Sequence, residues 1–244
     1  LKCERYAMKK VMLGLVLLTL ALASPINPAS GWANGGNYGN GFGTHDWILK
    51  EAIDDLDGCG SWINLNAALQ ATDDPDTVFR DFYYHVYDRW GSKYYGNAPY
   101  KVEYYYNQAV DYLRQGNYYS ASVALGRMSH YYTDVWNPMH TDGESPYEGY
   151  IHSKYETKVN SYTDTMDESY FTVYDYGEDY ISDPYQFTID AATSSHAYYY
   201  KLCEQYYYYG WNSYCRSVTQ WCLNKAGNGL QDLIYSMCVD SGRY

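Results

Sequence analysis

His130-Tyr131-Tyr132-Thr133-Asp134-Val135-Trp136-Asn137-Pro138-Met139-His140 is the stretch that decides how this chain is read. It closes a helical pattern that begins near Tyr118, where Ala121, Val123, Ala124, Leu125 and Met128 recur at helical spacing. Asn137-Pro138 ends that helix. Residues four apart share one helical face, so His130 and Asp134 project together. Pro138 redirects the backbone and swings His140 to another side of the same space. Further on, His152-Ser153-Lys154-Tyr155-Glu156 repeats the histidine–carboxylate pair at the same spacing. Neutral imidazole and carboxylate oxygen are good zinc ligands, and one helical turn brings them within reach of a common ion. Two such pairs with His140 between them predict a metal site.

Outward from this core the pattern stays helical. Thr44 caps a helix with Trp47, Ile48, Ala52 and Ile53 on its apolar side and Gly58 as its stop. Residues 62–69 read as a short helix, 72–76 as an acidic, proline-containing loop, and 100–114 as a helix turned by Gln115-Gly116-Asn117. A helix is expected around 150–159, and an acidic excursion with a short hairpin over 161–184. Two further helices, roughly 186–208 and 212–239, complete the chain. No βαβ alternation or fixed-period repeat is present, so the expected fold is all-α, a single multi-helix domain.

The 244 residues suit one domain with a substantial core. The start reads as an address: Lys9 and Lys10 precede an apolar run over 11–23, followed by small residues. Met8 is the natural start of such a signal, and the run is too short for a membrane span. Cleavage fits after Ala23 or after Gly31; the second is preferred, leaving Trp32 first and one domain over 32–244. The expected location is extracellular. Removing Lys2, Arg5, Lys9 and Lys10 with only Glu4 leaves the remainder more acidic than the full chain's −12. That charge weighs against extended nucleic-acid binding.

Five cysteines lie beyond the signal, Cys59, Cys203, Cys215, Cys222 and Cys238, an odd number without a CxxC zinc pattern. One or two bridges near the C-terminus are expected, but not Cys215 with Cys222, which a shared helix would hold roughly 10 Å apart. Tyrosine is in excess, 35 residues against 5 phenylalanines. It serves as an amphipathic filler of core and surface, with a surface resting on lipid headgroups as the sharper alternative.

His130 to His140 resembles the central motif of the bacterial zinc-dependent phospholipases C, a helix bearing HYxxD followed by PMH. His152 to Glu156 resembles the next ligand helix of that family. His45-Asp46-Trp47-Ile48 and the segment from Phe82 to Asp88 around His85 resemble its earlier histidine segments. The family's mature chain begins with a tryptophan whose amine and carbonyl bind zinc, and Trp32 stands at the matching distance before His45.

The resemblance implies three zinc ions. One is held by Trp32, His45 and Asp134, a second by His85, His130, Asp134 and an upstream aspartate, and a third by His140, His152 and Glu156. Asp73 fits the upstream position best by count, with Asp74 and Asp76 in the same loop as alternatives. The resemblance also makes this aspartate a general base. Asp46 and Asp88 are expected on the surface or behind the ligands, and His196 is expected to be structural.

The activity implied is hydrolysis of phospholipid to diacylglycerol and phosphorylated headgroup by metal-activated water. A peripheral membrane surface is the expected partner and a monomer the expected state. The single-strand-specific zinc nucleases share the scaffold, but their last pair ends in aspartate where this chain has Glu156. A non-catalytic, zinc-stabilised helical module is the third reading. The chain departs from the family at Gly35, where a headgroup-binding glutamate is expected, so a choline preference is not implied.

Overall fold

The computed structural model describes Trp32, residues 41–92 and residues 94–243. The segment expected to be a signal, with its expected cleavage points, lies outside the described residues. Eight α-helices follow one another among the described residues: α1 (Thr44–Asp54), α2 (Leu65–Thr72), α3 (Ala98–Arg114), α4 (Tyr118–Asp134), α5 (Glu148–Thr163), α6 (Pro184–His196), α7 (Tyr199–Tyr209) and α8 (Ser213–Ser241). No strand is formed among them; a single bridge pairs Asp88 with Tyr95.

The helix that carries the decisive stretch is the centre of the fold. α4 starts where the Asn117 side chain accepts from Ser120 N, then packs against α1, α2, α3 and α8. Its residues from Met128 to Asp134 are all buried. α2 lies so close that a side-chain carbon at Gly126 would overlap the Ala68 carbonyl oxygen. Only glycine permits that approach. The polar end of α4 is thereby sunk in protein, where histidine and aspartate persist only with partners.

The acidic excursion forms no hairpin. Its extended backbone over residues 172–181 runs along α8, which presents Gln220, Asn224, Asn228, Asp232 and Ser236 at four-residue intervals. These side chains accept from the amides of Thr172, Tyr174, Tyr176, Asp179 and Ile181 in turn. One polar helix face therefore does the work of a partner strand and satisfies an otherwise unpaired backbone.

Three further expectations are corrected. Pro75–Phe79 forms a helical turn, closed by Arg80 at φ 52°, in place of a loop. The helix expected over 186–208 breaks after His196, and α7 begins at Tyr199. A disulfide joins Cys59 to Cys238, tying the start of the domain to its last helix, while Cys203, Cys215 and Cys222 are free and buried.

Candidate metal centre

Each element end delivers one part of a buried cluster. The first turn of α1 carries His45, and the Pro75–Phe79 turn carries Asp76. His85 caps the short turn Phe82–Tyr84, α4 supplies His130 and Asp134, and the Pro138–His140 turn supplies His140. α5 supplies His152 and Glu156. Helix ends concentrate here because the chain must turn there, so residues from different helices converge around the last turn of α4.

Asp134 is the hub. It is fully buried, with Oδ1 at 3.5 Å from His45 Nε2 and 3.8 Å from His140 Nδ1. Its Oδ2 lies 2.9 Å from His85 Nδ1 and 3.3 Å from His130 Nε2. Neither oxygen makes an aligned hydrogen bond, nor does His45 Nε2. Burial opposes the Asp134 charge, but His130 and His140 outweigh it and hold the carboxyl well below its ordinary range. An ionised carboxylate ringed by four imidazoles, with no aligned hydrogen bond to any of them, has the donor set of a cation site.

Three groups of ligand atoms close to within 4.8 Å among the described residues: His45, His130 and Asp134; Asp76, His85 and His130; and His140, His152 and Glu156. Around them stands a shell that fixes ring orientation. His130 Nδ1 meets Thr72 O at 2.6 Å, His45 Nδ1 meets Thr133 Oγ1 at 2.6 Å, and His140 Nδ1 meets His85 O at 2.9 Å. Each contact leaves Nε2 for the centre. His85 is reversed: Nδ1 faces Asp134 and Asp76, and Nε2 faces Asp81 at 3.5 Å. Asp81 is itself held by the Tyr131 hydroxyl and Lys101.

The same pairs set the protonation of the metal-free cluster. Burial disfavours the His85 imidazolium, yet Asp134 and Asp81 outweigh it and lift its pKa to about 10. At His152 burial is likewise outweighed, by Glu156 at 2.8 Å and by Glu148, and the value again reaches about 10. His45, with burial and the neighbouring His130 acting together, is pushed well below its ordinary value.

Of the nine expected ligands, seven lie in these groups: His45, His85, His130, Asp134, His140, His152 and Glu156. Asp73 does not. It caps the end of α2 outside all three groups, and Asp76 stands where it was expected, 3.5 Å from His85 Nδ1 and 3.9 Å from His130 Nε2. Counting back from His85 along the sequence favours Asp73, but residues 75–79 coil into a turn that sets Asp76 nearer the histidines. Asp74 points elsewhere, paired to Arg127 at 2.7 Å.

Trp32 is fully buried beneath the cluster. Its Nε1 donates to Thr133 O at 2.9 Å, next to Asp134, and its ring packs on Tyr155. Asp46 lies behind the ligands, accepting from Thr72 Oγ1 and Gly43 N, with its pKa pushed up to about 7 by burial. Asp88 is buried on a cleft wall and is not a surface acid. His196 belongs to no group and stacks on Trp90 at 4.2 Å. Asp81 was not singled out from the sequence; its place four residues before His85 was the available signal.

A cleft of about 870 Å³ opens beside the third group, with His140 and His152 on its wall. No helix among the described residues is long and apolar enough to cross a membrane.

The family described as zinc dependent phospholipase C matches residues 44–222. This chain belongs to that family. A phospholipase C of Listeria monocytogenes is 26% identical over 208 residues, covering 66% of this chain and 71% of that protein. Among solved structures, the alpha toxin of Clostridium absonum aligns with a TM-score of 0.63 at 18% identity, over 83% of this chain. The alpha-toxin of Clostridium perfringens, from an avian strain, aligns at 0.56 and 19%, over 88%. The chain spans 65% and 66% of those two toxin chains. The zinc named by the family fits the residues found: nitrogen and oxygen donors, buried, with hydrogen-bonded outer partners and unsatisfied inner atoms.

Proposed function

We propose that this protein is a zinc-dependent phospholipase C with three metal positions, acting outside the cell on phospholipid surfaces. The observation that carries the reading is Asp134, buried among four histidines with both oxygens lacking a hydrogen bond, beside a cleft that reaches the third group.

The first position would use His45 and Asp134, completed by the Trp32 amine and carbonyl once residues 1–31 are removed. The second would use His85, His130, Asp134 and Asp76, with Asp134 common to both. The third would use His140, His152 and Glu156. Zinc bound at these positions would supply hydroxide near neutral pH and offset charge building on the phosphoryl oxygens.

The chain's own residues do the rest. The outer partners Thr72, Thr133 and Asp81 keep the rings aimed, so little reorganisation is needed during reaction. Asp76 would take the role expected of the upstream aspartate, since it is the acid of that loop that stands beside His85 and His130. It would accept the proton of the attacking water as the water oxygen bonds to phosphorus and the bond from phosphorus to the glycerol oxygen breaks. The same proton would pass to the departing alkoxide, giving diacylglycerol and a phosphorylated headgroup.

The test is one preparation assayed on phospholipid vesicles and on single-stranded RNA, before and after chelation. Diacylglycerol release that disappears on chelation and returns with zinc is expected. Nucleotide release in its place would assign a nuclease, and neither activity with zinc bound would assign a structural metal role. The intact mass of secreted protein checks Trp32: a chain beginning at Ser24 removes the terminal amine from the centre.

A further inference from the structure

The tyrosine excess gathers on one side of α5. Tyr150, Lys154, Lys158 and Tyr162 follow one another there at four-residue intervals, the repeat of a single helical face. His152 and Glu156 are buried toward the third metal group, and two residues of helix turn place this row on the opposite side.

The end of α7 and the start of α8 extend the row into a band. Tyr207 stacks on Tyr147 at 4.5 Å and meets Tyr150 at 5.5 Å, while the Tyr206 hydroxyl donates to Lys154 O at 3.0 Å. Trp211, between α7 and α8, lies 5.7 Å from Tyr162, which stacks on Tyr170 at 3.6 Å. The Tyr208 hydroxyl meets that of Tyr147 at 3.0 Å. Tyr150 and Tyr208 nevertheless stay 63% and 57% exposed, so the band is not a closed core.

Its charge runs against that of the chain. The protein carries −12, and elsewhere Lys50, Lys101, Arg114 and Arg127 are paired with carboxylates. On the band, Lys154, Lys158 and Arg216 lie over the rings of Tyr150, Tyr162 and Tyr170, at 3.2, 4.3 and 4.5 Å from the centroids. Such side chains cover apolar surface with their stems and keep the charged head available. The exposed Tyr174 and Tyr176 of the strap stand instead beside Asp175, with Glu178 and Asp179 following.

We propose that this band of tyrosines and cations is the face by which the protein docks on a phospholipid bilayer containing anionic lipid. The consequence for turnover rests on the phospholipase reading; the docking itself does not. Tyrosine is favoured at headgroup level, where its ring is in apolar surroundings and its hydroxyl is wet. Cations among the rings are drawn to an anionic leaflet, while the acidic remainder of the surface is repelled, so the band also sets orientation. Its edge reaches the cleft: Tyr147 is followed by Glu148, which lines the cleft with His152. The tyrosine count alone does not place this face, because it needs α5, α7 and the start of α8 side by side.

Flotation of the zinc-loaded protein with phosphatidylcholine vesicles, with and without phosphatidylglycerol, tests the proposal. Binding is expected to be tightest to the anionic vesicles at low salt. Lys154→Gln with Lys158→Gln should weaken it about 25-fold, at about fivefold per cation, and high salt should erase the difference. Tyr150→Ser with Tyr208→Ser should weaken binding to both kinds of vesicle about tenfold. Tyr119→Ser with Tyr174→Ser, exposed tyrosines off the band, should leave binding unchanged.

On monomeric dihexanoyl phosphatidylcholine, which requires no docking, each variant should keep the wild-type kcat/KM, while diacylglycerol release from vesicles falls with binding. If no phospholipid is hydrolysed, flotation still decides the docking face, so the two readings fail separately. No flotation of the wild type, equal flotation of wild type and both band variants, or an equal loss in the off-band variant overturns the proposal. A dimer seen by light scattering without vesicles, and dissolved by both band variants, also overturns it by assigning the face to a second copy of the chain.

Discussion

Replacing Asp76 and Asp73 separately by asparagine decides which acid completes the second metal position. Asp76 Oδ1 stands 3.5 Å from His85 Nδ1 and 3.9 Å from His130 Nε2, whereas Asp73 joins no ligand group. An outer partner of a metal ligand is already worth about 10–100-fold in affinity, so loss of a ligand is expected to cost at least about 100-fold. With zinc well above its dissociation constant, that removes about 2.7 kcal/mol of linked stability. For a chain of this size it lowers the zinc-dependent rise in Tm by about 5–11 °C. Burial pushes both carboxyls up, so neither amide should harm the metal-free protein. The zinc increment, Tm with zinc minus Tm with chelator, is therefore the readout, together with a competitive zinc titration. Asp76→Asn should lose most of one site's increment and Asp73→Asn should keep it. The reverse pattern would refute the placement of Asp76 and restore Asp73.

Asp81→Asn removes the carboxylate facing His85 Nε2 and is expected to weaken zinc binding or activity about 10–100-fold; a change under twofold would show that packing alone orients the ring. Because His85 and His152 are pushed up to about 10, the metal-free cluster carries their protons at neutral pH and zinc must displace them. Zinc affinity should therefore rise with pH between about 7 and 9, by up to about tenfold per unit for each displaced proton. Calorimetry in buffers of different ionisation enthalpy counts those protons, and a count of zero contradicts the pairing. Gly126→Ala sets a side chain against the Ala68 carbonyl and should destabilise by about 1–3 kcal/mol or more in denaturant melts. A loss below 0.5 kcal/mol would mean that α2 can move away from α4.

Local chemistry made the heart of the site readable before any coordinates. His130 with Asp134 and His152 with Glu156 depend only on helical spacing, and Pro138 marks where the chain must bend toward His140. The all-helical class, the helix starts at Thr44 and Tyr118 and the turn at Gly116 are likewise short-range consequences of residue type. Long-range geometry was not legible in the same way. Whether Asp73 or Asp76 faces the histidines depends on residues 75–79 coiling into a turn, and His85 is reversed because Asp81, Lys101 and Tyr131 meet behind it. The strap over 172–181 needed the polar face of α8, some 50 residues away in the chain, to replace a strand. Spacing along a helix fixes which side chains share a face; which of several acids enters the centre is set by packing between helices, where about an ångström decides whether an atom is a ligand.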